Sequence, residues 1–348
     1  MIKEKIRNKA KSLGFDAVGF TSTVANPQDK KALSKFLSQG WNGEMTWMED
    51  TDGRRANPQK TMPTAKSIIV LGMNYGPAEN PLPNLLHTDQ GNISVYAQST
   101  KDYHNVIKKR LKQLGRWIVN EYSENIKIFV DTAPIMEKPL AARSGIGWQA
   151  KHTNIVSREF GSWLFLGEIF TELDIPPDAP SLDHCGTCDL CQRVCPTNAF
   201  PKPYELDASK CISYLTIEHK SNIDPTLMSK MGNHIYGCDD CLSVCPWNKF
   251  ASSTEEKQLM PRIELTAPRL KDLAELDDPS FRRFFSGSPI KRTGRDRFIR
   301  NILIAIGNSG DLKLKPSAEK LTKDPSEIVA NTAEWALSRL RALGDGNE

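Results

Sequence analysis

The spacing of eight cysteines constrains this chain more than any other feature of its sequence. The first four follow the pattern C-x2-C-x2-C-x3-C and are followed directly by proline: Cys185, Cys188, Cys191 and Cys195. A shorter run, also closed by C-P, and one isolated cysteine complete the set: Cys238, Cys241, Cys245 and Cys211. The first run has the bacterial ferredoxin spacing, in which three thiolates hold one 4Fe–4S cluster and the fourth binds a second cluster.

An exchange of one cysteine between the two runs would use every thiol. The first predicted ligand set is then Cys185, Cys188, Cys191 and Cys245. The second is Cys195, Cys211, Cys238 and Cys241. Zinc is the alternative, although zinc sites usually present their thiolates as two separated pairs. Disulfides are disfavoured because neighbouring C-x2-C steps make poor cross-links and the chain reads as intracellular. Two clusters imply a path for single electrons, so the sequence predicts a redox protein or part of one.

Length and charge set broad limits on the molecule. A chain of 348 residues is long enough for two or three domains with their own cores. The net charge of +4 is slight and gives no overall signal for a polyanionic partner. Residues 1–15 predict an amphipathic helix rather than a signal peptide, and the longest apolar runs are only as long as strands. We therefore expect a cytoplasmic protein without membrane association.

Residues 1–175 alternate between strand and helix patterns, which predicts an α/β or α+β domain. Two apolar runs predict strands buried on both faces, and an amphipathic segment between them predicts a helix: 67–73, 126–130 and 101–122. Residues 154–156 and 163–170 predict two more strands, joined as a hairpin around Gly161.

The rest of the chain divides at a proline-rich linker, 175–180. Residues 176–252 predict a small ferredoxin-like domain with two 4Fe–4S clusters, in which metal sulfide replaces much of an apolar core. Residues 253–348 predict a helical domain. Within it, 296–307 resembles 327–337, which is typical of a pair of short HEAT-type repeats.

Asp131 directly follows the predicted strand 126–130, where open α/β sheets build their ligand sites. A turn or helix-capping role ahead of Pro134 explains the same residue equally well. As a proton donor Asp131 would need help, because an ordinary aspartate pKa of about 3.9 leaves it ionised at pH 7. Burial would have to raise that pKa by roughly 2–4 units.

The segment from Gly145 to Ala150 fits the pattern G-x-G-x-x-A of dinucleotide-binding loops. Such a loop follows a strand, whereas this one follows a predicted helical stretch, 135–144. The two glycines therefore predict a helix end and a turn, and nicotinamide binding is not expected.

Basic residues are concentrated in one segment, 280–300, where seven arginines and lysines accompany one acid and are interleaved with Phe281, Phe284 and Phe285. That density favours contact with a nucleic-acid backbone, and Arg292 and Arg295 are its candidate contacts. A solvated basic helix face is the alternative. Arg54 lies in a separate polar loop, where it could bind a phosphate or carboxylate or remain solvated.

Several motifs together resemble the epoxyqueuosine reductase family. They are Val130-Asp-Thr-Ala-Pro134, residues 142–151 (ARSGIGWQAK), the two cysteine runs, residues 211–219 (CISYLTIEH) and the repeats from Ser288. Members of this family use cobalamin and iron–sulfur clusters to complete queuosine at the wobble position of certain tRNAs. They are related to the reductive dehalogenases.

The resemblance implies a base-off cobalamin in the N-terminal domain, with one cluster close to cobalt. It places Asp131 at the position of the proton donor and implies these cofactor contacts: Arg54, Asp131, Ile155, Leu166 and Ser213. His219 and Lys220 fall where tRNA approaches. The implied partners are tRNA and an external low-potential electron donor, and we expect a monomer.

The implied reaction is the two-electron removal of the epoxide oxygen of epoxyqueuosine in tRNA. Two other functions fit parts of the sequence. One is a reductase of a small molecule such as a halogenated organic compound, and the other is a ferredoxin-like electron carrier. A scaffold that binds RNA and holds structural clusters is a third, weaker alternative.

Overall fold

The computed structural model describes residues 1–49 and 52–344 and confirms a mixed α/β fold. Its helices are α1 (Ile2–Ser12), α2 (Pro27–Ser38), α3 (Pro58–Thr61), α4 (Tyr103–Tyr122), α5 (Glu137–Arg143), α6 (Leu190–Arg193), α7 (Ile212–Ile217), α8 (Pro225–Met228), α9 (Asp240–Ser243), α10 (Ile263–Thr266), α11 (Leu270–Ala274), α12 (Asp278–Phe284), α13 (Arg295–Ser309), α14 (Lys315–Leu321) and α15 (Glu327–Gly344). Its strands are β1 (Ala17–Ser22), β2 (Ser67–Asn74), β3 (Asn92–Ile93), β4 (Ile126–Phe129), β5 (Trp148–Gln149), β6 (Ile155–Val156), β7 (Leu164–Thr171) and β8 (His234–Tyr236).

A four-stranded antiparallel sheet in the order β1-β2-β7-β4 forms the centre of the N-terminal part. Every residue of β2 is buried, as its unbroken apolar sequence predicts. Helices α1 and α4 cover one face of the sheet, where Ile69 and Leu111 share a core. Helix α5 covers the other face, where Leu140 packs with Ile68 and Val70. The sheet thus holds the end of β4 in a fixed position between two packed layers.

Two strand predictions differ from the structure. Strand β4 lies at the sheet edge and is only partly buried, because it pairs with β7 alone. The predicted hairpin is wrong as well: β6 pairs with β5, whereas β7 inserts between β2 and β4. A single bridge between Ser157 and Gly161 is all that remains of it within the described residues.

Helix α4 begins where the sequence supplies a cap. The Asp102 side chain accepts a hydrogen bond from the His104 backbone N–H, which satisfies one of the free donors of the first turn. The predicted apolar stripe is buried as expected: Ile107, Leu111, Leu114 and Ile118. Because Asp102 fixes the first turn, it also fixes the direction of the side chains at positions 103 and 104.

The C-terminal helices share a core with the rest of the chain. Strand β3 pairs in parallel with β8, and both contribute to a large apolar cluster that contains α11, α13 and α15. Helix α13 lies at the centre of this cluster and is buried from Phe298 to Gly307. The HEAT-type character of these helices and the domain limits at 175/176 and 252/253 stay predictions.

The turn predicted at the end of α5 is confirmed. Gly145 has a left-handed backbone with φ of +81° directly after the helix end at Ser144. Gly147 makes a close approach, because a Cβ there would lie 2.3 Å from the Val156 carbonyl oxygen. Separately, no helix among the described residues has the length and apolarity needed to cross a bilayer.

Candidate active site

The first predicted cysteine set lies together in the structure. Cys185, Cys188, Cys191 and Cys245 line one cavity of about 160 Å³. Burial and the three neighbouring thiols raise the pKa of Cys191 to about 11. Helices α6 and α9 pack against each other, which brings the end of one cysteine run beside the other. The exchange of ligands between runs is therefore geometrically available.

The second predicted set is also assembled. Burial, and then the nearby Cys211 and Cys195, raise the pKa of Cys241. Burial and a group of neighbours that includes Cys241 and Cys211 likewise raise the pKa of Cys238. All eight cysteines are free, so no disulfide competes for them. Two groups of four thiols are the donor set that two 4Fe–4S clusters require.

Lys138 connects the second cysteine set with Asp131. Burial lowers the pKa of Lys138, while the charges of Asp131, Glu137 and the Cys241 thiol counteract that effect. The lysine therefore lies within electrostatic range of both Asp131 and the thiols. It follows that the second cysteine set is on the Asp131 side of the molecule.

Two cavities meet at Asp131. The sheet-side cavity of about 220 Å³ is lined by Tyr75, Tyr96, Tyr103, Asp131, Glu137, Lys138, Asn154, Leu164, Phe165 and Leu166. The helix-side cavity of about 300 Å³ is lined by Tyr96, Tyr103, His104, Asp131, Ile217, Glu218, Tyr236, Pro289, Arg292, Thr293 and Arg297. Asp131 and the two shared tyrosines thus form the boundary between a compartment beside the sheet and one beside the C-terminal helices.

Asp131 is held in an unusual conformation. Its backbone is left-handed, with φ of +55°, which is uncommon outside glycine and concentrated at functional sites. Its N–H donates to Glu137 Oε1 at 2.6 Å, and its Oδ2 accepts from Tyr103 Oη at 3.0 Å. His104 Nε2 lies 2.8 Å from the same Oδ2. Asp131 does not cap α5, which begins after Met136; it lies in the bend at 130–134 that follows β4, as the turn alternative expects.

The surroundings of Asp131 lower its pKa, whereas a proton donor at this position would need a raised pKa. The hydrogen bond from His104 lowers the pKa of Asp131, and this effect exceeds the opposing effect of burial. The side chain is also 57% exposed, because it faces the open cavities. Asp131 is therefore a carboxylate at neutral pH in this conformation. The requirement that burial raise its pKa is not met.

A pair of buried acids lies under Asp131. Glu168 of β7 is fully buried, and neither of its carboxylate oxygens has a hydrogen-bond donor among the described residues. Burial and the neighbouring Glu137 raise the pKa of Glu168 well above 4.5. Burial and Asp131 raise the pKa of Glu137 to about 7. Burial and the proximity of the two carboxyls disfavour ionisation of both, so the pair retains a proton up to about neutral pH.

The predicted cofactor contacts are only partly brought together. Asp131 and Leu166 line the sheet-side cavity, and Ile155 is adjacent in sequence to Asn154, which also lines it. Of the described residues, Arg54 and Ser213 line neither cavity at Asp131. Arg54 Nη2 lies 3.5 Å from Asp52 Oδ2.

The predicted tRNA contacts next to α7 differ in accessibility. Lys220 is exposed. The His219 side chain is only 16% exposed; its Nε2 lies 3.1 Å from the Asn222 carbonyl oxygen and its Nδ1 lies 3.6 Å from Glu44 Oε2. Lys220 is thus the accessible member of this pair.

The basic segment is divided between the surface and the interior: Arg282, Arg283, Lys291 and Arg292 are exposed, whereas Arg295, Arg297 and Arg300 are not. Arg295 stays a predicted tRNA contact, although the structure engages it within the chain. Its side chain is 14% exposed and its guanidinium forms an ion pair with Asp324 at 2.7 Å. Arg300 is completely buried and donates to backbone carbonyls. Arg292 differs, because its side chain is 55% exposed and lines the helix-side cavity. The number of basic residues in the segment could not show which of them would be buried or paired by helix packing.

Sequence reasoning missed several residues around Asp131: Tyr103, His104, Glu137, Lys138 and Glu168. The signal for His104 was present in the capping sequence, because an aspartate at the helix start fixes the histidine two positions later. Glu168 had a signal too, as a lone acid in the apolar run 163–170. The other three have ordinary local sequences.

Comparisons with known proteins match two segments of this chain to described families and nearly the whole chain to named relatives. The family described as epoxyqueuosine reductase QueG, DUF1730, matches residues 55–132. The family described as 4Fe-4S double cluster binding domain matches residues 184–248. An epoxyqueuosine reductase from Xanthomonas campestris is 38% identical over 96% of this chain and 95% of that protein. One from Escherichia coli is 39% identical over 97% of this chain and 89% of that protein.

Solved structures agree over the same length. A crystal structure of epoxyqueuosine reductase with an epoxyqueuosine-modified tRNA-Tyr stem loop has a TM-score of 0.88 at 31% identity, covering 97% of this chain and 90% of that chain. A structure from Bacillus subtilis, with its catalytic aspartate loop swung out of the active site, has a TM-score of 0.87 at 30% identity, with the same coverage. These chains share the fold over nearly their whole length.

Proposed function

This chain belongs to the epoxyqueuosine reductase family of oxidoreductases, and we propose that it converts epoxyqueuosine in tRNA to queuosine. The observation that carries the proposal is the position of Asp131, which lies between two cavities and on the side of the second cysteine set. The ferredoxin-like and small-molecule alternatives are not favoured, because the named relatives match along nearly the entire chain.

The reaction requires electrons and protons in equal number. One epoxide, two electrons and two protons give one carbon–carbon double bond and one molecule of water. Both C–O bonds of the epoxide break, and two O–H bonds form on the departing oxygen. The protein therefore has to deliver single electrons to one side of the substrate and protons to its oxygen.

The thiols have the arrangement that electron delivery needs. Cys185, Cys188, Cys191 and Cys245 would hold one cluster, and Cys195, Cys211, Cys238 and Cys241 would hold the other. The first set borders an open cavity, so it is the candidate acceptor for an external low-potential donor. The second set is on the side of Lys138 and Asp131, next to the reaction.

The sheet-side cavity fits cobalamin in the chemistry of its walls. Leu164, Phe165 and Leu166 supply an apolar surface from β7, and Asp131 lies at the boundary with the helix-side cavity. Bound there, the cofactor would supply a low-valent metal centre that gathers electrons for cleavage of the C–O bond.

The cofactor contacts that the family resemblance implies stay proposals. Asp131, Leu166 and Ile155 are on or beside the sheet-side cavity and are the better-supported members. Arg54 and Ser213 would contact the cofactor only where it extends beyond the residues that line this cavity.

The helix-side cavity is the proposed place of the modified base. Tyr96 and Tyr236 can stack against an extruded base, as aromatic side chains do with bases from single-stranded loops. Arg292 at its edge and the exposed Lys220 are the proposed contacts to the tRNA backbone. His219 supports this surface through its hydrogen bond to the Asn222 carbonyl.

Asp131 is the proposed group that hands protons to the departing oxygen. It is within reach of both compartments, and Tyr103 and His104 fix its carboxylate. Because the substrate is tRNA, we place the enzyme in the cytoplasm. It would work there as a monomer with a separate electron donor.

The test is a single-turnover assay with anaerobically reduced protein, cobalamin and tRNA that carries epoxyqueuosine, read by mass spectrometry of the nucleosides. Wild-type protein should convert the substrate to queuosine with loss of one oxygen atom. Asp131→Asn should bind cofactor and tRNA normally but react about 10²–10⁴-fold more slowly, because general acid catalysis is lost.

The exposed Asp89 supplies the matched control, since Asp89→Asn removes the same charge on the surface. That variant should react at the wild-type rate. Full turnover in Asp131→Asn would contradict the role of Asp131, and no queuosine from wild-type protein would contradict the function.

A further inference from the structure

We propose that His104 carries the proton that Asp131 delivers to the substrate, and that Asp102 holds His104 in position for this task. The inference deepens the proposed function and rests on it. Asp131 needs a source of protons, because a carboxylate that is ionised at neutral pH has no proton of its own to give.

Asp102 and His104 form one rigid unit at the start of α4. Asp102 Oδ1 accepts a hydrogen bond from the His104 backbone N–H at 3.0 Å. The same oxygen lies 2.6 Å from His104 Nδ1. Both side chains are buried, at 6% and 10% exposure. The bond to Nδ1 orients the ring and directs Nε2 away from Asp102.

The other ring nitrogen reaches Asp131. His104 Nε2 lies 2.8 Å from Asp131 Oδ2, so Asp102, His104 and Asp131 form a continuous chain of hydrogen bonds. Asp131 Oδ1 has no hydrogen-bond partner within the described residues. A proton accepted on Oδ2 can therefore reach the substrate when the carboxyl group rotates about its Cβ–Cγ bond, because no partner holds Oδ1 in place.

The charges around His104 favour its cationic form. Burial works to lower the pKa of His104, but the bonds and charges of Asp102 and Asp131 outweigh burial and raise the pKa above 6.5. Arg292 Nη2 lies 2.6 Å from the second oxygen of Asp102, which keeps that carboxylate ionised and in place. Glu218 and Arg297 face the same cavity with opposite charges.

Tyr103 is the other group in contact with Asp131 that could supply a proton. Burial raises the pKa of Tyr103 far above 10, so its hydroxyl donates a hydrogen bond but keeps its proton. Its ring stacks on His104 with centroids 3.9 Å apart and so restrains the imidazole. Among the groups bonded to the Asp131 carboxylate, His104 is thus the one that can lose a proton at neutral pH.

The proton balance follows directly. The Nε2–H bond of the imidazolium breaks as an O–H bond forms on Asp131 Oδ2, and Asp131 then transfers a proton from its carboxyl group to the substrate oxygen. The neutral imidazole, still held by Asp102, takes up the second proton from water in the open cavity and repeats the transfer. Two protons leave as part of one water molecule, matching the two electrons.

The experiment measures the single-turnover rate of the reduced holoenzyme against pH, from about 5.5 to about 9. In wild-type protein the rate should fall as pH rises through the raised pKa of His104. His104→Gln keeps a hydrogen-bonding side chain that cannot ionise. At pH 7 it should react about 100-fold more slowly, and its rate should rise about tenfold per pH unit on acidification, following Asp131 alone.

Two further variants separate proton supply from structure. Asp102→Asn keeps the imidazole but removes its buried charge partner, so the alkaline fall should move to lower pH. His87→Gln makes the same change at an exposed histidine and should match wild-type protein. Iron content and tRNA affinity of each variant are measured alongside.

The outcomes separate the two claims. A rate in His104→Gln that is unchanged, or reduced by the same factor at every pH, would overturn the role of His104. So would an alkaline fall that stays in place in Asp102→Asn, a variant that retains the ring. If wild-type protein forms no queuosine, the proposed function itself fails instead.

Discussion

At the scale of single residues, Asp131 is defined by the groups around it. Its position at the end of a strand was predictable, since an acid that follows an apolar run can be recognised in the sequence. Its protonation state was not, because His104 lies 27 positions away and the fold alone brings it to 2.8 Å. Charge partners that meet through tertiary structure decide the pKa of such a residue.

The buried pair Glu137 and Glu168 gives a testable pH dependence of stability. The folded protein holds protons on these carboxyls more tightly than the unfolded chain does, because burial raises both pKa values. Their contribution is complete below the ordinary glutamate pKa and is lost as pH rises through about 7. We expect the wild-type protein to lose on the order of 1–3 kcal/mol of unfolding free energy between about pH 5 and pH 8.5 from this source.

Glu168→Gln removes one of the two acids while keeping its shape. The decline should shrink in this variant, as measured by denaturant unfolding at several pH values. Glu79→Gln changes an exposed glutamate and should retain the wild-type decline. The same pH dependence in Glu168→Gln and the wild type would mean that the pair does not share a proton.

At the scale of elements, helix α13 connects the C-terminal helices with the segment that follows Cys211. Arg300 Nη1 donates to the carbonyls of His219 and Ser221 at 2.9 Å, and its Nη2 donates to Leu215 at 2.7 Å. Asn301 adds bonds from its Nδ2 to the Thr216 and Ile235 carbonyls. One helix therefore holds α7, β8 and the loop around Lys220 together.

Replacing Arg300 by glutamine should destabilise the protein by about 2–4 kcal/mol, because three carbonyls lose their donors and one of these bonds, to Leu215, is buried. Hydrogen exchange should increase in the segment 215–221. Arg297→Gln, one turn earlier, removes donors to the Ile217 and Glu218 carbonyls from a less buried position and should have a smaller effect. An unfolding free energy of Arg300→Gln equal to that of the wild type would contradict this role.

The elements also show what a sequence can and cannot predict. The periodicity of apolar residues predicted the helix at 103–122 and its buried stripe. The spacing of the eight cysteines predicted their division into two sets of four. The place of β7 between β2 and β4 did not, because strand order depends on long-range pairing that local patterns do not encode. For a related reason the sequence could not show that α13 buries Arg300 and pairs Arg295 with Asp324.

At the scale of the whole molecule, the helix-side cavity lies where three parts of the chain meet. The sheet supplies Asp131, the segment around α7 supplies Ile217 and Glu218, and the C-terminal part supplies Arg292. A tRNA loop that reaches Asp131 would contact all three. Binding and chemistry therefore depend on how these parts are held together.

Two arginines in the same segment test the proposed tRNA surface. Arg292→Gln should weaken tRNA binding and reduce the slope of log affinity against log salt by up to about 0.9, the value for one lost phosphate contact. Arg295→Gln should change that slope less, because the Arg295 side chain is only 14% exposed, whereas that of Arg292 is 55% exposed. Affinity measured over a range of salt concentrations distinguishes the two. Equal slopes in both variants would mean that Arg292 does not contact a phosphate of the tRNA.

Iron content is the most direct measurement of the central claim that two sets of four thiols carry electrons to the Asp131 cavity. Anaerobically prepared protein should contain about eight irons per chain, as two four-iron clusters require. Ser in place of Cys191 or of Cys241 should disrupt one cluster and leave the signal of the other. A wild-type content of four irons or fewer, or zinc in place of iron, would contradict the account.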